Sequence, residues 1–143
     1  MPKFAFHHFG VAVPDLERAA SFYSAAFGFQ VVSGPFEDPI QRVKVCFLAE
    51  AGQGSAPLEL ICPLDADSPV NTYLTQGIGA YHVCYEVADV AQALAELRAQ
   101  RCLVVSKPVS AVAFAGRRIA WCFTPTQQLL ELLERDPSGA SPG

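Results

Sequence analysis

Residues 7–16 read HHFGVAVPDL, a histidine pair heading a short apolar strand that runs straight into a helix start, and residues 81–90, YHVCYEVADV, write the same design again. His8 falls on His82, Val13 on Val87, Asp15 on Asp89 and Leu16 on Val90. An internal repeat of this kind decides the fold, because each copy is one supersecondary unit with the same face to bury. On either side the halves keep agreeing. FHHFGVAV and AYHVCYEV read as strands, and PDLERAASFYSAAFG and ADVAQALAELRAQ as helices, with Asp15 and Asp89 in the N-cap position and Gly28 as a stop for the first. FQVVSGP and CLVVSKP follow, each a strand closed by a proline turn. RVKVCFLA and RRIAWCFTP come next, aligned on the Cys-Phe late in each strand. Last, PLELICP against QLLELLE brings Glu59 onto Glu131, Leu60 onto Leu132 and Ile61 onto Leu133. Each half is therefore strand, helix, strand, strand, strand.

The expected fold class is α+β, two tandem βαβββ modules in a single domain over residues 1–135. Module one spans 4–64, a linker helix 65–77, and module two 78–135. In the linker DADSPVNTYLTQGIG, Ser68 is the cap, Pro69 takes the first helical position and Gly77 ends the helix. The tail 136–143, DPSGASPG, is small, polar and rich in proline and glycine, and is expected to be flexible.

Composition narrows the function. With 143 residues, 51% of them hydrophobic, the chain can bury a sizeable core. Ten basic against fourteen acidic residues give a net charge of −4 with no basic stripe, which argues against a nucleic-acid surface. No apolar run approaches the roughly 18 residues of a membrane span, and the N-terminus has no charged leader with an apolar stretch behind it, so the chain reads as cytoplasmic and not membrane-bound. Five cysteines, odd in number and without a CxxC, read as small buried hydrophobes in a reducing compartment.

Alternation along a strand puts His8, Gly10 and Ala12 on one face and Phe9, Val11 and Val13 on the other, the bulky face being expected to cover the helices. His8, and by repetition His82, then point to a face lined by small residues. The same parity sets Glu59 and Ile61 against Leu58 and Leu60, and isolates Glu131 on an otherwise apolar strand. Taken singly, a histidine near a strand start or one glutamate in a strand is commonly just a satisfied or exposed residue. Two histidines and two glutamates at equivalent places in a repeat are different. A buried carboxylate among apolar residues is costly, and a metal cation resolves all four placements at once. His7 stands outside the pattern, since its counterpart is Tyr81 and parity points it away.

The paired βαβββ layout with His8, Glu59, His82 and Glu131 resembles the vicinal oxygen chelate (glyoxalase/bleomycin resistance/dioxygenase) superfamily over residues 4–135. That resemblance implies a half-barrel, glyoxalase-like fold around one divalent metal, assembled as a homodimer. It implies His8 and Glu59 as ligands from module one, and His82 and Glu131 from module two. Two imidazoles and two carboxylates with open positions suit Co, Ni, Zn or Mn. A dioxygenase is expected to use two histidines and one carboxylate, so Glu59 argues against that branch.

Within the superfamily, DSPVNTYL followed by GIGAYHVCYEVADV, and RRIAWCFTP followed by LLELLE, are similar to the methylmalonyl-CoA epimerase pattern. The implied activity is that of a metal-dependent isomerase or lyase shifting a proton next to a carbonyl, on a small-molecule substrate such as an acyl-CoA or other thioester. Glu131 would be one base. The Glu-Gln pair of the epimerases falls on DPIQRVKV, where Ile40 stands for the glutamate and Gln41 is retained. Isoleucine cannot move a proton, which leaves Asp38 as the candidate second base, with a solvated FEDP turn as the alternative reading of Glu37 and Asp38. Gln41, Cys84 and Arg117 are candidate pocket residues. Arg117 and Arg118 suit a substrate carboxylate or phosphate, although arginines at strand starts are usually surface residues. Trp121 reads as core, its side of the strand unfixed. Two other functions fit the resemblance: a glyoxalase I-type lactoylglutathione lyase, whose ligands have the same character, and a non-catalytic antibiotic-binding protein, a class that generally lacks the ligands.

Overall fold

The structure, a computed structural model, describes residues 2–53 and 56–136. The strands are β1 (Ala5–Ala12), β2 (Phe29–Asp38), β3 (Val43–Glu50), β4 (Leu58–Pro63), β5 (Ala80–Val87), β6 (Leu103–Val104), β7 (Val109–Ser110), β8 (Arg118–Phe123) and β9 (Leu129–Glu134). The helices are α1 (Leu16–Phe27), α2 (Val70–Thr75) and α3 (Val90–Ala99), with a 3-10 turn at Val112–Phe114. Among the described residues there are two compact units, one built from His8–Tyr81, the other from residues 2–7 and 82–136.

In the His8–Tyr81 unit the strands run in the order β2-β3-β4-β1, with β1 and β4 parallel and the other pairs antiparallel. The other unit repeats this as β6-β8-β9-β5, with β5 and β9 parallel and β7 also paired to β8. The two βαβββ modules expected from the repeat are thus built alike. Each helix starts where the aspartate stands: the Arg18 N–H donates to Asp15 at 3.0 Å and the Gln92 N–H to Asp89 at 3.1 Å. Gly28, at φ +76°, closes α1, and its N–H donates to the Ser24 carbonyl. Leu16 of α1 packs with Cys46, Leu48, Leu60 and Cys62, and Val90 and Leu94 of α3 pack with Val87, Ala120 and Leu132. Leu60 and Leu132, equivalent in the repeat, are completely buried in these two cores, and that fixes which face Glu59 and Glu131 must take. Val11 and Val13 join the α1 core as expected, but Phe9 is 49% exposed.

Three expectations change. The proline turn after FQVVS is not a turn: β2 continues through Gly34 and Pro35 to Asp38, with register shifts between Val31 and Ser33 and between Ser33 and Phe36 that absorb the irregularity. Gly34 makes this possible, since its φ is +94° and a Cβ there would sit 2.9 Å from the Val45 carbonyl oxygen. Gly34→Ala is expected to destabilise the protein by about 2–4 kcal/mol, combining the left-handed penalty with the steric clash, read as a lower urea midpoint at unchanged slope. In module two the matching segment is broken into β6 and β7, with Pro108, which has no N–H to give a ladder, between them. The linker helix is also shorter than 65–77. Asp65 accepts the Asp67 N–H and pairs with Arg42, which holds 65–68 in a turn. Helix begins only at Val70, whose N–H donates to the Ser68 hydroxyl at 3.4 Å, and Gly77 at φ +72° follows its end. Apart from Asp136, the expected flexible tail lies outside the described residues. Among the described residues no helix is long and apolar enough to cross a membrane.

Candidate metal centre

Each module builds one histidine–glutamate pair from its two parallel strands. In the first, β1 runs beside β4 with Gly10 level with Glu59, and His8 Nε2 lies 3.1 Å from Glu59 Oε1. In the second, Cys84 is level with Glu131, and His82 Nε2 lies 3.4 Å from Glu131 Oε1. All four side chains are buried, both imidazoles completely.

The third strand of each module adds an aromatic wall. Phe47 stands opposite Glu59 in the β3–β4 ladder and meets His8 edge-on, ring centroids 5.6 Å apart; Trp121 stands opposite Glu131 in the β8–β9 ladder and meets His82 edge-on at 4.9 Å. Phe47 therefore corresponds to Trp121, not to Phe123, and aligning the halves on Cys-Phe misplaces this strand by two residues. The side of Trp121 that parity left open is the side of Glu131. The signal that finds both rings is an aromatic residue opposite each glutamate, visible only once the hairpin register is known.

The donors fit a divalent cation. Neutral imidazole nitrogen and carboxylate oxygen are borderline-to-hard ligands, and a buried pair of this kind otherwise carries a desolvation penalty that its mutual attraction offsets only in good geometry.

The remaining candidates fall in several places. Asp38 is buried at the end of β2, and its Oδ1 accepts the N–H groups of Ile40 at 3.0 Å and Gln41 at 3.1 Å, so this carboxylate caps the turn where a solvated one was the alternative. Glu37 is exposed and Gln41 half-buried. Cys84 is completely buried beside Glu131. All five cysteines are free, four of them buried, and burial pushes the Cys46 and Cys122 thiols up to about 11, as inert hydrophobes require. Arg117 is no surface residue. Its side chain is 8% exposed, its Nη2 donates to Glu86 at 2.6 Å and its Nε to the Glu134 carbonyl at 2.8 Å, while Arg135 Nε reaches the other oxygen of Glu86 at 3.3 Å. Burial opposes the ionised form of Glu86, but the two arginines outweigh it and hold the carboxyl below its ordinary range. Sequence reasoning passed over Glu86 and Arg135. His7, outside the pairs, lies edge-on to Phe114 at 5.7 Å.

The family model of the Glyoxalase/Bleomycin resistance protein/Dioxygenase superfamily matches residues 7–121. The chain belongs to this superfamily. Its relatives include the protein named methylmalonyl-CoA epimerase, mitochondrial, of Mus musculus, 38% identical over 97 residues covering 66% of this chain and 52% of that one. The ethylmalonyl-CoA/methylmalonyl-CoA epimerase of Cereibacter sphaeroides is 35% identical over 94 residues, covering 64% of this chain and 67% of its own. A solved methylmalonyl-CoA epimerase in complex with methylmalonyl-CoA and NH4+ is 28% identical with a TM-score of 0.80, covering 99% of this chain and 100% of that one. The chain spans about half the length of the mouse relative. The resemblance read from the repeat is borne out, and the fold is the α+β glyoxalase-like one. A divalent metal suits the superfamily and the paired donors alike.

Proposed function

We propose that this chain is an epimerase-like isomerase that moves a proton on the carbon next to the thioester carbonyl of an acyl-CoA, using one divalent ion (Co, Ni, Zn or Mn) held by His8, Glu59, His82 and Glu131. The observation that carries this reading is a buried histidine–glutamate pair at the same place in both modules, in a chain related to methylmalonyl-CoA epimerases. When bound, the ion supplies a Lewis acid that lowers the cost of charge developing on the substrate's carbonyl oxygen. The protein supplies the rest. Phe47 and Trp121 fix the two imidazole planes and exclude water, which strengthens every charge interaction in the site. Glu131 takes the proton from carbon on one face. Asp38 is the candidate base for the other face, since Ile40, 61% exposed, has no proton to exchange. In this reading the active form is a cytoplasmic homodimer.

The test is proton exchange into methylmalonyl-CoA in deuterated water, with metal-loaded protein. Exchange together with interconversion of the two epimers is the expected result; no exchange, with turnover of methylglyoxal plus glutathione, would replace the reading by a lactoylglutathione lyase. Asp38→Asn keeps the oxygen that caps the turn but cannot act as a base. It is expected to leave exchange into one epimer within about threefold and to slow interconversion by about 100-fold or more.

A further inference from the structure

The Glu86–Arg117–Arg135 cluster is unusual because the fold does not need it. In module one Ala12 is level with Ile61, and Val45 and Val43 stand opposite Ile61 and Pro63. In module two Glu86 is level with Leu133, and Ile119 stands opposite Leu133. Two residues further along each strand, Arg117 and Arg135 take the places of Val43 and Pro63, while Glu86 takes that of Ala12. One module thus closes this end of its sheet with apolar side chains, Ala12 and Val43 both buried, whereas the other places three partly buried charges at the same positions. Charges taken partly out of water in this way often contribute no more to stability than well-packed apolar side chains of similar volume.

Its charges also do not close among themselves. Two guanidinium groups face one carboxylate, leaving one positive charge in excess. Two donors, Arg117 Nη1 and Arg135 Nη2, are buried without a hydrogen-bond partner. Arg117 is held rigidly by Glu86 and the Glu134 carbonyl, and Arg135, 28% exposed, gives access from solvent. The face matters too. His82, Cys84 and Glu86 alternate along β5, so the cluster lies on the face of His82, about 13 Å along the strand at the usual rise per residue.

We propose that Glu86, Arg117 and Arg135 form an oxyanion subsite that receives a carboxylate or phosphate carried by the substrate at a distance from its reacting carbon. The planar forks of two arginines, one fixed by Glu86, offer the two parallel donors that such a group takes. The inference rests on the proposed function only in placing substrate on this face; anion binding itself can be read without turnover.

The experiment titrates inorganic phosphate, and separately acetate, into the protein while following the arginine side-chain nitrogen resonances by NMR. Saturable shifts of Arg117 and Arg135 are expected. Tighter phosphate binding assigns the group to a phosphate, tighter acetate binding to a carboxylate. Arg135→Gln should weaken binding about tenfold, the loss of one charge-assisted hydrogen bond. Glu86→Ala combined with Arg117→Val, the residues of module one, should abolish binding while the thermal midpoint stays at or above that of the parent. Absence of saturable shifts in the parent protein overturns the proposal. So does a collapse of the double variant's midpoint together with unchanged binding by Arg135→Gln, which would make the cluster a structural pin.

Discussion

Glu131→Gln is expected to slow deuterium exchange into the substrate by about three orders of magnitude, the middle of the range for removing a general base, while the protein stays folded. Glutamine keeps the volume and one oxygen acceptor, so the β9 ladder and Trp121 opposite it need not move; what it loses is the ability to hold a proton at that oxygen. Glu59→Gln makes the informative contrast. Glu59 sits at the same place in module one, opposite Phe47 as Glu131 is opposite Trp121, and the proposal gives it a ligand's role alone. Its variant should bind the ion more weakly and recover exchange when metal is raised, whereas Glu131→Gln should not recover at any metal concentration. Circular dichroism checks folding, and single-turnover exchange followed by mass spectrometry reads the step. A Glu131→Gln rate within about tenfold of the parent would move the base elsewhere.

The part of this site that the sequence reveals is the part that local periodicity controls. His8 and His82 can be placed because a strand alternates and because Asp15 and Asp89 anchor two helix starts at the same distance beyond them. Glu59 and Glu131 stand out because the residues beside them, Leu60 and Leu132, are the ones that go under the helices. Phe47 and Trp121 are less legible. Their positions depend on hairpin register, and the bulges in β2 together with the break between β6 and β7 show that the loops of the two modules are not equivalent. The charged cluster is harder still. Glu86 reads as one more alternating strand residue and Arg135 as a cation beyond a strand, until the fold brings both side chains to one cluster with Arg117. Asp38 illustrates a third kind of difficulty: FEDP has the composition of a surface turn, but the strand that carries it runs four residues past Gly34 and buries the aspartate.

Removing the divalent ion is expected to lower the thermal midpoint by roughly 10 °C or more. An ion present at about 1,000 times its dissociation constant stabilises the folded state by about 4 kcal/mol, and each kcal/mol is worth roughly 3 °C for a domain of this size. The pattern among variants is more telling than the size of the shift. One histidine–glutamate pair supplies two ligands, fewer than a divalent ion requires from a protein that holds it tightly. If both pairs share one ion, His8→Ala and His82→Ala should each abolish the metal-dependent part of the midpoint, and the double variant should do no more, because coupled residues at one centre are not additive. Metal analysis of the parent protein should then give one ion per chain. Two ions per chain, with each single variant losing one and about half of the stabilisation, would show instead that the modules bind metal independently, and Glu131 would have to act without ligands from module one.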